Sequence, residues 1–251
     1  LRSTDDPLLG AHGSTRASDD TIVHLPDVVQ LTSQGRAIVT GTALAGVLRH
    51  RARRICRTLG MDDERATNVV AGVWGPLLHR ERERGSHQEA GAAEPARASR
   101  LLVDDAFIEG GAFQRQTRIA VDRFTGGARE TALIEEMPLF PTRDRPATLT
   151  VTLRLLPARG HDRPSPAECG LLLLLLKDLC TGDLPVGGGS AVGRGHMRGK
   201  GGSIELRTAQ RQRWRWKAAA DGALTFDEGD PSALEAFVGA LALEAKGGAD
   251  A

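Results

Sequence analysis

TGTALAGVLRHRARRICRTLG, residues 40–60, is the stretch on which the fold turns. Leu44, Leu48, Ala52, Ile55 and Leu59 step by four, four, three and four positions, the spacing of one helical face. Thr40 or Thr42 can supply the N-cap oxygen, and Gly60 stands where helices often end in a left-handed residue. The pattern predicts a helix between Thr42 and Gly60, entered directly from a short β-prone piece, Ala37 to Thr40. Its other face carries Arg49, Arg51, Arg53, Arg54 and Arg57, with no acid between Thr42 and Gly60. Exposed helices normally interleave the two signs. Such a row is either a solvated face or a phosphate-binding one, and the free N–H groups at the helix start are a second seat for phosphate.

Outward from this helix, short β-prone pieces at Thr21 to Leu25 and Val28 to Thr32 precede it, behind a glycine-punctuated loop of 20 residues. A second helix is expected from Asp62 to Ala71, ending near Gly72 and Trp74-Gly75-Pro76. Residues 80–100 alternate Arg and Glu and then turn to Gly, Ala, Ser and Pro, which reads as a mobile insertion. Strands follow at Leu101 to Val103, Ala106 to Ile108, Gln116 to Phe124 and Ala132 to Phe140. The last two flank Thr125-Gly126-Gly127 and make residues 113–140 a long hairpin. Thr148 to Leu156 alternates as a further strand. Ser165-Pro166-Ala167-Glu168 is a capping box that opens a buried helix to Thr181 and Gly182. A glycine-rich segment, Gly187 to Gly202, leads into a strand at Ser203 to Arg207. Residues 208–251 form a C-terminal extension ending in a helix from Asp230-Pro231. The order is that of an α+β domain spanning 1–251, with helices packed on an antiparallel sheet in a split βαβ, ferredoxin-like arrangement.

Composition removes several classes. Hydrophobic content is 40% of 251 residues, and no apolar run nears the roughly 18–20 residues of a membrane helix. Three cysteines (Cys56, Cys169, Cys180) without a C-x-x-C pair exclude a disulfide scaffold and a Cys-based zinc site, and a reducing cytoplasmic setting fits. Leu1 stands where a start methionine would, and no signal pattern follows, as expected of a renumbered or excised piece. Bases and acids nearly cancel, 33 against 32, which taken as a total disfavours a nucleic-acid binder. The total averages over uneven segments. Only four bases are lysines (Lys177, Lys200, Lys217, Lys246), so 29 are arginines, whose planar forks suit phosphate oxygens.

The glycine segment fits neither common nucleotide loop. Val192 stands where a dinucleotide fingerprint needs glycine, and helix and strand come in the wrong order. Arg194 and Gly201 break the P-loop spacing. What is left is a run of accessible N–H groups with Arg194, Arg198 and Lys200 and no acid from Gly187 to Gly202, either a phosphate nest or a flexible turn. Asp19-Asp20 and Asp104-Asp105 are acid pairs in loops, able to serve as base or metal ligand but more often turn formers. Arg211-Gln212-Arg213-Trp214-Arg215-Trp216-Lys217 interleaves cations with aromatics. It suits stacking on single-stranded nucleic acid, or equally a strand with tryptophans inward and cations outward.

Three segments in order resemble the RAMP superfamily of CRISPR proteins. Gly41-Thr42-Ala43-Leu44-Ala45-Gly46-Val47-Leu48-Arg49 is similar to its glycine-serine-serine-leucine-lysine-glycine helix start. Val121-Asp122-Arg123-Phe124-Thr125-Gly126-Gly127 resembles the thumb hairpin of its backbone subunits, and Gly187 to Gly195 its glycine-rich loop. The resemblance implies an RRM-like core and a guide-RNA-gripping backbone subunit of a type III effector. Target RNA and other effector subunits, or copies of itself, would be its partners, with no membrane. It implies target cleavage by Asp20, with Asp19 as the fallback, and a divalent ion (Mg or Mn) as the cofactor such cleavage can use. Thr42, Arg49, Gly188, Gly189 and Arg194 would hold guide phosphates, joined by Arg53, Arg198 and Lys200 from the two cationic stretches, while Arg123 would sit on the thumb. Ala43 and Ala45 depart from the pattern by removing a hydroxyl and a positive charge, and the zinc-binding group of some relatives is not recognisable. A non-catalytic guide-binding module and a precursor-processing endoribonuclease, which would rely on His24 or His50, are the alternatives.

Overall fold

The computed structural model describes residues 2–3, 14–16, 22–24, 26–76, 97–207, 211–219 and 224–247; side chains before Pro26 and at 130–131 lie outside that description. Seventeen short strands and four α-helices follow one another along the described residues. They are β1 (Arg2–Ser3), β2 (Ser14–Arg16), β3 (Ile22–His24), β4 (Val28–Val29), β5 (Thr32–Ser33), β6 (Arg36–Val39), α1 (Gly41–Thr58) and α2 (Asp63–Trp74). Next come β7 (Leu101–Val103), β8 (Ala106–Glu109), β9 (Ala112–Phe113), β10 (Gln116–Val121), β11 (Ala128–Met137), β12 (Leu139–Phe140), β13 (Thr148–Leu149) and β14 (Leu153–Leu155). The chain then continues through α3 (Pro166–Thr181), β15 (Gly201–Leu206), β16 (Gln212–Ala218), β17 (Leu224–Glu228) and α4 (Pro231–Lys246). The fold is α+β, and it divides into two compact units: Leu1–Thr40 with Asp104–Thr152, and Gly41–Val103 with Leu153–Ala251.

In the first unit β10 and β11 form the expected hairpin, in register Arg118↔Ile134 and Ile119↔Leu133, with a bulge before Val121. The strand expected at Val28 to Thr32 is broken in two. Val28–Val29 pairs in parallel with β11, while Thr32–Ser33 turns back on β6. Gln30 sits at the break, its N–H on the Met137 carbonyl and its side-chain amide on the Ile38 carbonyl at 2.8 Å. The sheet is therefore several short sheets rather than one antiparallel layer, with β13-β8-β6-β5 the other four-stranded one. Thr148 to Leu156 is split in the same way, into β13 on β8 and β14 on β7, because Asp104-Asp105 interrupts the partner strand.

The second unit is built on helices. In α1 the buried stripe is Leu44, Leu48, Ala52 and Cys56, all at 0–1% exposure, so Cys56 rather than Ile55 completes it. Thr40 immediately precedes the first helical residue, Gly41, and Thr42 lies inside the first turn. The second helix begins at the Asp62 cap, whose carboxylate accepts the Arg65 N–H, and runs three residues past Ala71 through Gly72 to Trp74, where Gly75 caps it within the expected Trp74-Gly75-Pro76 end. Burying Val73 and Trp74 gains about 1.5–3 kcal/mol each, which outweighs the roughly 1 kcal/mol cost of a helical glycine. Helix α3 opens on the full Ser165/Glu168 capping box and ends at Gly182 in a left-handed conformation. Gly170 lets α4 cross it closely, since a Cβ there would lie 2.2 Å from the Phe237 carbonyl oxygen. Leu171 and Leu175 of α3 and Leu241 of α4 are buried at 0–1% exposure. Strands β15-β16-β17 form a separate antiparallel sheet in which Trp214 and Trp216 point inward.

Candidate nucleic-acid interface

The arginine row of α1 is less free than its sequence suggests. Arg49 Nη2 donates to the Gly75 carbonyl at 2.7 Å, and burial lowers the pKa of its guanidinium. Arg51 Nε pairs with Asp178 Oδ2 of α3 at 2.6 Å, a carboxylate whose side chain is only 7% exposed. Arg53 and Arg57 both reach Asp63 in the first turn of α2, at 2.8 and 3.1 Å. Of the five, Arg54 alone is exposed without an ion pair among the described residues. The acids missing from α1 come from its neighbours, Asp63 folded back by the turn at Gly60 and Asp178 from more than a hundred residues on. Asp178 is the residue that sequence reasoning missed, and only the fold marks it. Thr42 is exposed in the first turn of α1.

The glycine segment is a closed loop. At its neck the Val186 N–H donates to the Gly195 carbonyl at 3.0 Å, and a Cβ on Gly195 would lie 2.2 Å from the Val186 oxygen. Inside, the N–H groups of Val192 and Arg194 both turn onto the Gly189 carbonyl, with Ser190–Val192 as a single 3-10 turn. Below the neck, His196 Nδ1 meets the Gly182 carbonyl at 2.8 Å and the Gly199 N–H donates to the Cys180 carbonyl. This bonding ties the loop to itself and uses the N–H groups of Val186, Val192, Gly193 and Arg194 internally. Gly188 is exposed, Gly189 and Arg194 are half-buried, and Arg198 and Lys200 are exposed without an ion pair among the described residues. With no carboxylate from Gly187 to Gly202, the loop presents positive charge on a fixed backbone.

At the tip of the β10–β11 hairpin, the Asp122 carboxylate accepts the N–H groups of Phe124 and Thr125, each at 2.9 Å. Those two bonds hold its pKa below the ordinary carboxylate range. The turn pushes Arg123 and Phe124 outward, the guanidinium stacked 4.8 Å from the ring centroid and the ring 83% exposed. Phe124 is a flat apolar group fit to lie against a base, although sequence reasoning singled out Arg123 alone. The acidic candidates Asp19 and Asp20 lie outside the described residues, as do residues 80–96 of the expected insertion. Among the described residues no group of His, Cys, Asp and Glu could hold a metal ion.

The family model of the RAMP superfamily matches residues 18–198. The chain belongs to the RAMP superfamily. The match takes in Asp19 and Asp20, the start of α1, the hairpin and the closed glycine loop as far as Arg198, while β15–β17 and α4 lie beyond it. RAMP membership points to CRISPR-associated RNA binding, and the α+β architecture is consistent with the ferredoxin-like fold of these proteins. Comparison with curated proteins gives no match. Among the described residues of this RAMP protein, no helix is long and apolar enough to cross a membrane.

Proposed function

We propose that this RAMP protein is a guide-RNA-binding backbone subunit of a type III-like CRISPR effector, working in the cytoplasm with other effector subunits or copies of itself, and that it cuts target RNA paired to the guide. The observation that supports it most is the closed loop from Val186 to Gly195, continued by Arg198 at the end of the family match and by Lys200 just beyond it. Phosphate oxygens pair with such cations, and backbone contacts position RNA without reading its sequence. Arg123 and Phe124, outward at the hairpin tip, suit a thumb that wedges between bases.

Cleavage is assigned to Asp20, with Asp19 as the fallback. The carboxylate takes the proton of a target 2′-OH, the 2′-oxygen attacks the adjacent phosphorus, and the 5′-oxygen leaves with a proton from water. A cyclic phosphate and a 5′-hydroxyl result. A divalent ion, Mg or Mn, is the cofactor proposed for this step. The test is the assembled complex on complementary RNA: Asp20→Ala should abolish cutting at this subunit's site while guide binding persists. Undiminished cutting by the Asp20→Ala and Asp19→Ala variants overturns the catalytic assignment. A non-catalytic guide-binding module is the second reading, favoured because Ala43 and Ala45 depart from the family's helix start; it predicts guide binding and no cutting with either metal.

A further inference from the structure

From the end of the region that the RAMP family model matches into the C-terminal sheet, charge is strongly segregated. Between Arg194 and Lys217 stand eight cations (Arg194, Arg198, Lys200, Arg207, Arg211, Arg213, Arg215, Lys217) and a single carboxylate, Glu205. The sheet explains how they are displayed. Trp214 and Trp216 are 3% and 9% exposed, with the Trp214 indole N–H on the Asp230 carbonyl, so the alternate residues Arg213, Arg215 and Lys217 all face outward. They lie on β16, the central strand of the three, spaced about 6.8 Å apart by the strand repeat. Cross-strand register sets Gly201 beside Lys217 and Ser203 beside Arg215, so the neighbouring strand leaves this half of the face low and open.

The carboxylates on this sheet offset the row only in part, with Glu205 set beside Arg213 and Glu228 beside Arg215 by cross-strand register. Glu205 is shared by Arg207 and Arg211, which hold its pKa down. Asp227 meets Lys217 at 2.8 Å and Glu228 meets Arg213 at 3.8 Å, both as exposed pairs. Such pairs are weak and yield readily to a phosphate. Arg215 has no ion pair among the described residues. We propose that the outward face of β15–β16, centred on Arg213, Arg215 and Lys217, is a second RNA-phosphate surface that continues from Arg198 and Lys200 of the glycine loop. The proposal rests on the reading of this chain as an RNA binder and extends it to residues outside the family match. The inward tryptophans exclude base stacking here, so recognition is electrostatic and independent of sequence.

The test uses the full chain and a fluorescein-labelled single-stranded RNA, titrated across a range of salt. Replacing Arg213, Arg215 and Lys217 together by Gln should weaken binding by about tenfold or more at moderate salt. It should also lower the slope of log K against log salt by about 2, since each lost phosphate contact on a single strand removes roughly 0.7. Trp214 and Trp216 emission reports whether the sheet is intact. Glu205→Gln is the second variant; releasing Arg207 and Arg211 should tighten binding about twofold or more. Wild-type affinity and slope in a folded triple variant, or no gain in Glu205→Gln, overturn the second surface and leave RNA binding itself standing. A wild-type chain that binds no RNA overturns both readings.

Discussion

Arg100 grips Glu168 with both arms of its guanidinium, Nη1 to Oε1 at 2.6 Å and Nη2 to Oε2 at 2.9 Å. The same arginine donates to the carbonyls of Gly72 and Leu156, and Glu168 also accepts the Ser165 N–H of its capping box. One ion pair thus joins the end of α2, the entry to β7, the exit of β14 and the start of α3. Both side chains are under one-fifth exposed. Arg100→Ala should cost about 3 kcal/mol, as removing one partner of a largely buried pair does. Arg100→Lys should recover only part of it, because an ammonium cannot reproduce the fork. Urea unfolding of the two variants measures both values; equal stability of Arg100→Ala and wild type would refute the role.

The pair also sets an acid dependence. Burial opposes the charge on Glu168, but the Arg100 hydrogen bonds, the Ser165 N–H and the Arg100 charge together bring its pKa below the ordinary 4.5. A carboxylate whose pKa is lower folded than unfolded stabilises the fold above its unfolded pKa. That contribution fades as pH falls through the folded one. Wild type should therefore lose stability progressively below about pH 4.5. Glu168→Gln should start lower at neutral pH and show a shallower acid slope. Thermal melts from pH 7 downward test this, and parallel curves for the two proteins would refute it.

The glycine loop separates conformational strain from collision. Gly187 and Gly195 both have positive φ, 91° and 78°, but only Gly195 is crowded. Gly187→Ala should cost about 1–2 kcal/mol of left-handed strain and leave the loop closed. Gly195→Ala adds a methyl 2.2 Å from the Val186 oxygen, so the neck must open and RNA affinity should fall well below that of Gly187→Ala. Equal RNA affinities for the two variants would contradict the closed-loop account.

Arginines that look alike in sequence should behave differently. Arg49→Ala leaves the Gly75 carbonyl unpaired, at a cost of about 1–3 kcal/mol, and should change thermal stability more than the salt slope of RNA binding. Arg198→Ala, exposed and without an ion pair among the described residues, should do the reverse, lowering the slope by about 0.7 with little change in melting.

What could be read from the chain was whatever local periodicity and capping decide. The helix α1, the Ser165 box and the β10–β11 hairpin each depend on residues within a few positions of one another; the box is found in full, while Cys56 replaces Ile55 in the α1 stripe and the hairpin strands run 116–121 and 128–137 rather than 116–124 and 132–140. The misreadings are non-local. Val28 to Thr32 looks like one strand until β11 and β6 compete for its two ends. The five arginines of α1 look uncompensated because Asp63 and Asp178 reach them only through the tertiary fold. Trp214 and Trp216 could face either way until the register of the C-terminal sheet turned them inward. At the candidate site the glycines and the hairpin turn were visible, whereas the bonds that close the loop and the exposure of Phe124 were not.

The central claim, that this RAMP protein grips guide RNA, is tested most directly by the nucleic acid that the full chain retains when produced together with a CRISPR array and its partner subunits. Phenol extraction and sequencing should yield short RNA of uniform length that maps to the array, held less well when Arg198 and Lys200 are both changed to alanine. Protein free of RNA, or RNA of random length and origin held equally by that variant, would contradict the account.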